Sequence, residues 1–159
     1  MRKQIDPIST MQKYLQILRK INGWTAESLG RRLGVTKQTI SNLENSKVIM
    51  TRTQYIALRT IFEYEVREIG TNDVLKKVLC ILFYSNINCV SEDAQSIYEA
   101  LENIAAAAFG GINGAQLTLL SSTLLASINP LSGVNVNYVL KSTHPYAWLE
   151  EITQQEVKD

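Results

Sequence analysis

Residues 25–44 read TAESLGRRLGVTKQTISNLE, and the reading of this stretch decides the fold. Thr25 is placed to cap a helix whose first turn carries Glu27, an anion where the helix dipole favours one. Leu29 and Leu33 form its apolar face, and Gly34 closes it. Gly34 can adopt a left-handed backbone at little cost, so two helices can meet there at a sharp angle. Val35 is expected to plug that angle. Thr36 then caps a second helix, with Ile40 and Leu43 turned inward and Ile40 locking it onto the first. The outward residues of this second helix are Lys37, Gln38, Ser41, Asn42 and, further round, Asn45. A helix of this size fits a DNA major groove, where Gln, Asn and Lys can pair with adenine or guanine edges.

Upstream, Met11, Tyr14, Leu15, Leu18 and Ile21 recur at helical spacing over residues 11–22, with Lys13, Arg19 and Lys20 elsewhere on the wheel. Gly23 ends that helix. Downstream, a polar and basic connection from Asn45 through Lys47 to Arg52 leads to a helix from about Thr53 to Glu65. None of these short helices is stable alone, so they must pack together. The break at Gly70, Thr71 and Asn72 marks the expected domain boundary, giving residues 1–69 as a unit expected to fold alone and 70–159 as a second domain.

The central run resembles the Cro/repressor-type, or XRE-family, helix-turn-helix, and the likeness covers roughly residues 11–67. Gly30, Leu33, Gly34, Val35, Thr36, Ile40, Ser41 and Glu44 stand in the places of that signature. The resemblance implies that Lys37, Gln38 and Asn42 read bases, with Thr39 and Ser41 near the groove. It also places Thr36, Asn45 and Lys47 on phosphate. Lys47 and Arg52 suit backbone neutralisation. Arg31 and Arg32 are weaker phosphate candidates, with solvent-facing filler as the alternative. Two departures stand out. Ala26 replaces a glutamine that reaches DNA in some relatives, and Gly30 replaces a common alanine at some cost in helix propensity.

Charge divides the chain in the same way. Residues 1–60 hold 11 Lys/Arg against 3 Asp/Glu, a net of +8, while residues 61–159 hold 5 against 12, a net of −7. These sum to the whole-chain +1. A basic third on an acidic remainder is the pattern of a polyanion-facing module joined to something with another task.

In that remainder, Val74, Leu75, Val78, Leu79, Leu82 and Phe83 mark a helix capped by Asn72 or Thr71. Further helices are expected over about 92–109 and 116–128, joined at Gly110 and Gly111. Val134, Val136, Tyr138 and Leu140 alternate like a strand. Trp148, Leu149 and Ile152 fit a final helix after Pro145. Residues 103–140 hold no charge, and 104–128 is long enough to cross a bilayer. Asn113, Gln116 and the glycine break instead favour a buried hairpin.

Cys80 and Cys89 are the two cysteines, too few for a disulfide framework or a four-ligand zinc site within one chain. His144 is the sole histidine, and neither a GxxxxGK[ST] loop nor HExxH occurs. The adjacent Glu150 and Glu151 point in different directions on a helix. No catalytic residue, metal or cofactor is therefore assigned. The amino-terminal end has no apolar run of a signal peptide, so the expected address is cytoplasmic.

The expected protein is all-α or mainly α: a helix-turn-helix bundle followed by a mostly helical oligomerisation or effector domain. Its expected task is sequence-specific binding of double-stranded DNA, as a repressor dimerised through residues 70–159 on a palindromic operator. A regulatory protein or a small apolar ligand are further partners for the second domain. The rivals are a protein–protein adaptor that keeps the fold without DNA binding, and a membrane-tethered regulator using residues 104–128.

Overall fold

A computed structural model describes residues 6–84, 99, 101, 103 and 144–154. The described residues form an all-α fold, with no strand among them. Helix α1 spans Pro7–Ile21. It begins four residues earlier than the apolar spacing indicates, because the Asp6 carboxylate accepts from the backbone N–H groups of Ile8 and Ser9 at 3.3 and 3.1 Å. Pro7 follows at the first helical position, where its missing N–H costs nothing.

Helix α2 spans Ala26–Leu33 and α3 spans Lys37–Glu44. Each starts as its sequence dictates: Thr25 Oγ1 accepts from Ser28 N at 3.0 Å, and Thr36 Oγ1 from Thr39 N at 3.2 Å. Between them Gly34 is left-handed at φ +79°, and Val35 N–H donates back to Gly30 O at 2.8 Å. The chain folds so tightly onto α2 that a Cβ at Gly30 would lie 2.7 Å from the Val35 carbonyl oxygen. The glycine that lowers helix propensity is thus what admits the turn.

Helix α4 spans Arg52–Tyr64 and opens with a capping box made by Thr51 and Gln54. A π-helical turn, Glu65–Ile69, continues it to Gly70, which is left-handed at φ +67°. Helix α5 spans Asp73–Phe83; Asn72 caps it by accepting from Leu75 N at 3.0 Å. The same side chain donates to Ile21 O at 3.1 Å, which ties the start of α5 to the end of α1. The final described helix, α6, spans Ala147–Gln154 and contains the expected Trp148, Leu149 and Ile152.

One apolar cluster joins these helices. It contains Met11, Leu15 and Leu18 of α1, Leu29 of α2, Ile40 and Leu43 of α3, and Tyr55, Leu58 and Phe62 of α4. It runs on past Gly70 through Leu75, Val78 and Leu79 of α5, takes in Leu101, and ends with Trp148 and Ile152 of α6. On α4 the buried stripe is Tyr55, Leu58 and Phe62; Ile56 and Ile61 are half-buried, and Tyr64 is exposed.

Of the helix expected over 92–109, Glu99, Leu101 and Asn103 are described, and all three are helical. The expected helix over 116–128, the alternating stretch over 134–140 and the candidate span over 104–128 lie outside the described residues. Among the described residues no helix is long and apolar enough to cross a membrane.

Candidate nucleic-acid interface

The position of α3 is fixed from three sides. Arg19 of α1 forms a bidentate pair with Glu44 at the carboxy-terminal end of α3, at 2.5 and 3.1 Å, and its Nη1 donates to Trp24 O at 2.9 Å. Both side chains are nearly buried, so the guanidinium has exchanged water for a carboxylate and a carbonyl. Burial and the neighbouring Arg19 charge lower the pKa of Lys20, against the opposing pull of Glu44. On the other side, Gln12 spans the loop after α3. Its Nε2 donates to Leu43 O and Val48 O at 3.0 and 2.6 Å, and its Oε1 accepts from Met50 N at 2.9 Å. Packing of Ile40 and Leu43, both fully buried, completes the mount.

What α3 then presents outward is polar. Thr36, Lys37 and Gln38 are exposed at its amino-terminal turn, and Thr39, Ser41 and Asn42 are half-buried beside them. Gln38 Nε2 donates to Asn42 Oδ1 at 2.9 Å, so the two amides form one unit along the helix. The Thr36 and Thr39 hydroxyls are 3.0 Å apart. Asn45 Nδ2 donates to Ser41 O at 2.8 Å and closes the helix. Ser46 is left-handed at φ 54°, and the exposed Lys47, Val48 and Ile49 follow it.

The arginines are arranged differently from one another. Arg31 is exposed and lies 4.0 Å from Glu27 one turn before it, a pair of little energetic weight in water. Arg32 turns onto the Trp24 ring, 4.2 Å from its centroid, and lines an open groove of about 550 Å³ with Asn22, Glu65 and Asn72. Arg52, at the start of α4, donates to the backbone carbonyl of Ile152 in α6. The structure therefore groups Thr36, Lys37, Gln38, Thr39, Ser41 and Asn42 on one helix, with Asn45 and Lys47 just beyond its end. It turns Arg32 to a groove and Arg52 to the carboxy-terminal segment.

Residues 15–69 match the model of the Helix-turn-helix family. Residues 15–69 are an XRE-family helix-turn-helix domain. No curated protein and no solved structure matches the chain. The helix-turn-helix domain begins inside α1 and ends at Ile69, so it takes in Arg19, Glu44 and the whole of α3. The family is DNA-binding and regulatory rather than catalytic. Among the described residues no cluster of three His, Cys, Asp or Glu side chains could hold a metal ion.

Sequence reasoning did not single out Gln12 or Arg19, the residues that hold α3 in place. It also passed over a buried network on α4. Arg59 Nε donates to Glu63 Oε1 at 2.8 Å, Arg67 Nε donates to Glu63 Oε2 at 3.0 Å, and the Tyr84 hydroxyl donates to Glu63 Oε1 at 2.6 Å. Arg59 is 1% exposed, and its Nη2 has no hydrogen-bond partner among the described residues. The rings of Phe83, Tyr84 and Trp148 lie 4.2, 5.1 and 5.5 Å from its guanidinium carbon and supply the compensating attraction. Burial lowers the Arg59 pKa, but Glu63 and the tyrosine oxygens outweigh it and leave it raised. Spacing of four residues from Arg59 to Glu63 to Arg67 was the available signal, and it reads equally as a solvent-facing helix side.

Proposed function

We propose that this chain is a sequence-specific, double-stranded DNA-binding repressor that works as a homodimer on a palindromic operator in the cytoplasm. One observation carries the reading: the exposed Lys37 and the coupled Gln38–Asn42 amides stand on a helix held by buried contacts. Such a helix meets a groove with its donors and acceptors already oriented, which lowers the entropic cost of binding. Lys37, Gln38 and Asn42 read base edges, with Thr39 and Ser41 beside them. Thr36, Asn45, Lys47 and Arg31 meet phosphate, and Arg52 joins them once it leaves Ile152. Arg32 remains a phosphate contact only if it also leaves Trp24. Residues 70–159 supply the dimer contact, because one recognition helix buries too little surface for useful specificity.

The test is selection of bound sequences from random duplex by the full chain, followed by native mass measurement of the complex. An enriched palindrome carrying two chains supports the repressor. Absence of any enriched sequence favours an adaptor that keeps the fold without reading DNA.

A further inference from the structure

The carboxy-terminal helix α6 lies against the DNA-binding domain about a hundred residues away in sequence. Its Trp148 and Ile152 are buried, and the Trp148 ring meets Tyr55 of α4 edge-on at 6.0 Å between centroids. The Trp148 ring also faces the buried Arg59 guanidinium, and Ile152 O accepts from Arg52. Arg52 is the first residue of α4, three positions after the exposed Ile49 and five after Lys47. The helix that engages it matches DNA in sign of charge: α6 carries Glu150 and Glu151 and no Lys or Arg.

We propose that α6 is a displaceable cover on α4 that withholds Arg52 from DNA phosphate. This rests on the DNA-binding reading above. Eight residues make a helix too short to persist by itself, and two buried side chains anchor it. The exposed remainder places it among the least stable parts of the molecule. Phosphate offers the Arg52 guanidinium a charge-assisted bond. Phosphate arriving at the start of α4 therefore competes for Arg52 and loosens α6. By reciprocity, loosening α6 favours DNA.

The experiment measures binding of full-length wild type, Trp148→Ala, Arg52→Ala and the double variant to a random-sequence duplex at 50–200 mM salt. Trp148→Ala is expected to steepen the slope of log K against log salt by about one unit, the mark of one added phosphate contact. In the Arg52→Ala background the same change is expected to add nothing. Hydrogen exchange of wild type with saturating duplex should show faster exchange at residues 147–154, and this measurement decides the matter if Trp148→Ala fails to fold. DNA binding with an unchanged slope and unchanged exchange removes the cover and leaves the DNA-binding reading intact. An increment that survives in the Arg52→Ala background overturns the role of Arg52. Binding by neither wild type nor Trp148→Ala removes both readings together.

Discussion

At the scale of single residues, the interface depends on side chains that touch DNA and on others that hold them. Gln38 belongs to the first kind in the proposed function. Its amide is already bonded to Asn42, so replacing it with alanine removes a base contact and frees its partner. Gln38→Ala is expected to cost about 1–3 kcal/mol at the preferred operator and much less on random duplex. Equal losses on both would sink the base-reading role. Glu44 belongs to the second kind. Removing its carboxylate leaves Arg19 nearly buried beside a single carbonyl, and an uncompensated buried charge costs about 3–5 kcal/mol. Urea denaturation of Glu44→Ala reads this as a lower midpoint at constant m. A change below about 1 kcal/mol would place the pair among weak surface contacts.

At the scale of elements, the same division shows why some of the molecule was legible in the sequence. The caps at Thr25 and Thr36 and the turn at Gly34 are local chemistry, settled within four residues, and they stand where the residues indicate. The outward polar face of α3 follows from them. Arg59 and Glu63 are a different case. On an isolated helix they belong on the wet side; they are buried because the aromatic residues of α5 and α6 arrive from far along the chain. No local pattern encodes that arrival.

The network also has a pH signature. Burial raises the pKa of both Tyr55 and Tyr84; the Glu63 charge and its bond to the Tyr84 O–H raise Tyr84 further, and the nearby arginines oppose the rise. Because the folded values lie above the ordinary one of about 10, the stabilisation is complete below that pH. It is lost as pH climbs through the raised folded values. Urea midpoints are therefore expected to be level from neutral pH to the ordinary tyrosine range and to fall beyond it. Tyr84→Phe should flatten part of that fall while lowering stability at neutral pH by about 1–3 kcal/mol, through the donor Glu63 loses. Parallel alkaline limbs in the two proteins would show that Tyr84 has no part in the fall.

The boundary at Gly70 is likewise an element-scale matter. The family match ends at residue 69, yet Leu75, Val78 and Leu79 of α5 are fully buried in the core they share with α1. A fragment of residues 1–69 leaves that apolar face open to water. We expect residues 1–84 to unfold cooperatively and residues 1–69 to be less stable by a few kcal/mol, about the worth of one or two buried side chains. Urea midpoints compare them directly. Equal midpoints would make α5 an accessory to the domain rather than part of its core.

At the scale of the whole molecule, a basic amino-terminal third and an acidic remainder hold two opposing influences on operator binding. If residues 70–159 join two chains, they make the second recognition helix effectively intramolecular, which raises affinity by about 10²–10⁴. If α6 covers α4, the same region withholds one phosphate contact. At a slope of about 0.9, counterion release from one contact is worth roughly eightfold in affinity at about 0.1 M salt. Avidity therefore outweighs the cover by more than an order of magnitude. Residues 1–84, which lack both the dimer contact and α6, lose the avidity and regain the covered contact, and are expected to bind a palindromic operator at least about 10-fold more weakly than the full chain. On a duplex holding a single half-site, where avidity cannot act, the same fragment should bind with a salt slope about one unit steeper than the full chain. The two duplexes separate the influences within one titration series. A fragment that matches the full chain on the palindrome would move the dimer contact into the first 84 residues. Equal slopes on the half-site would remove the cover.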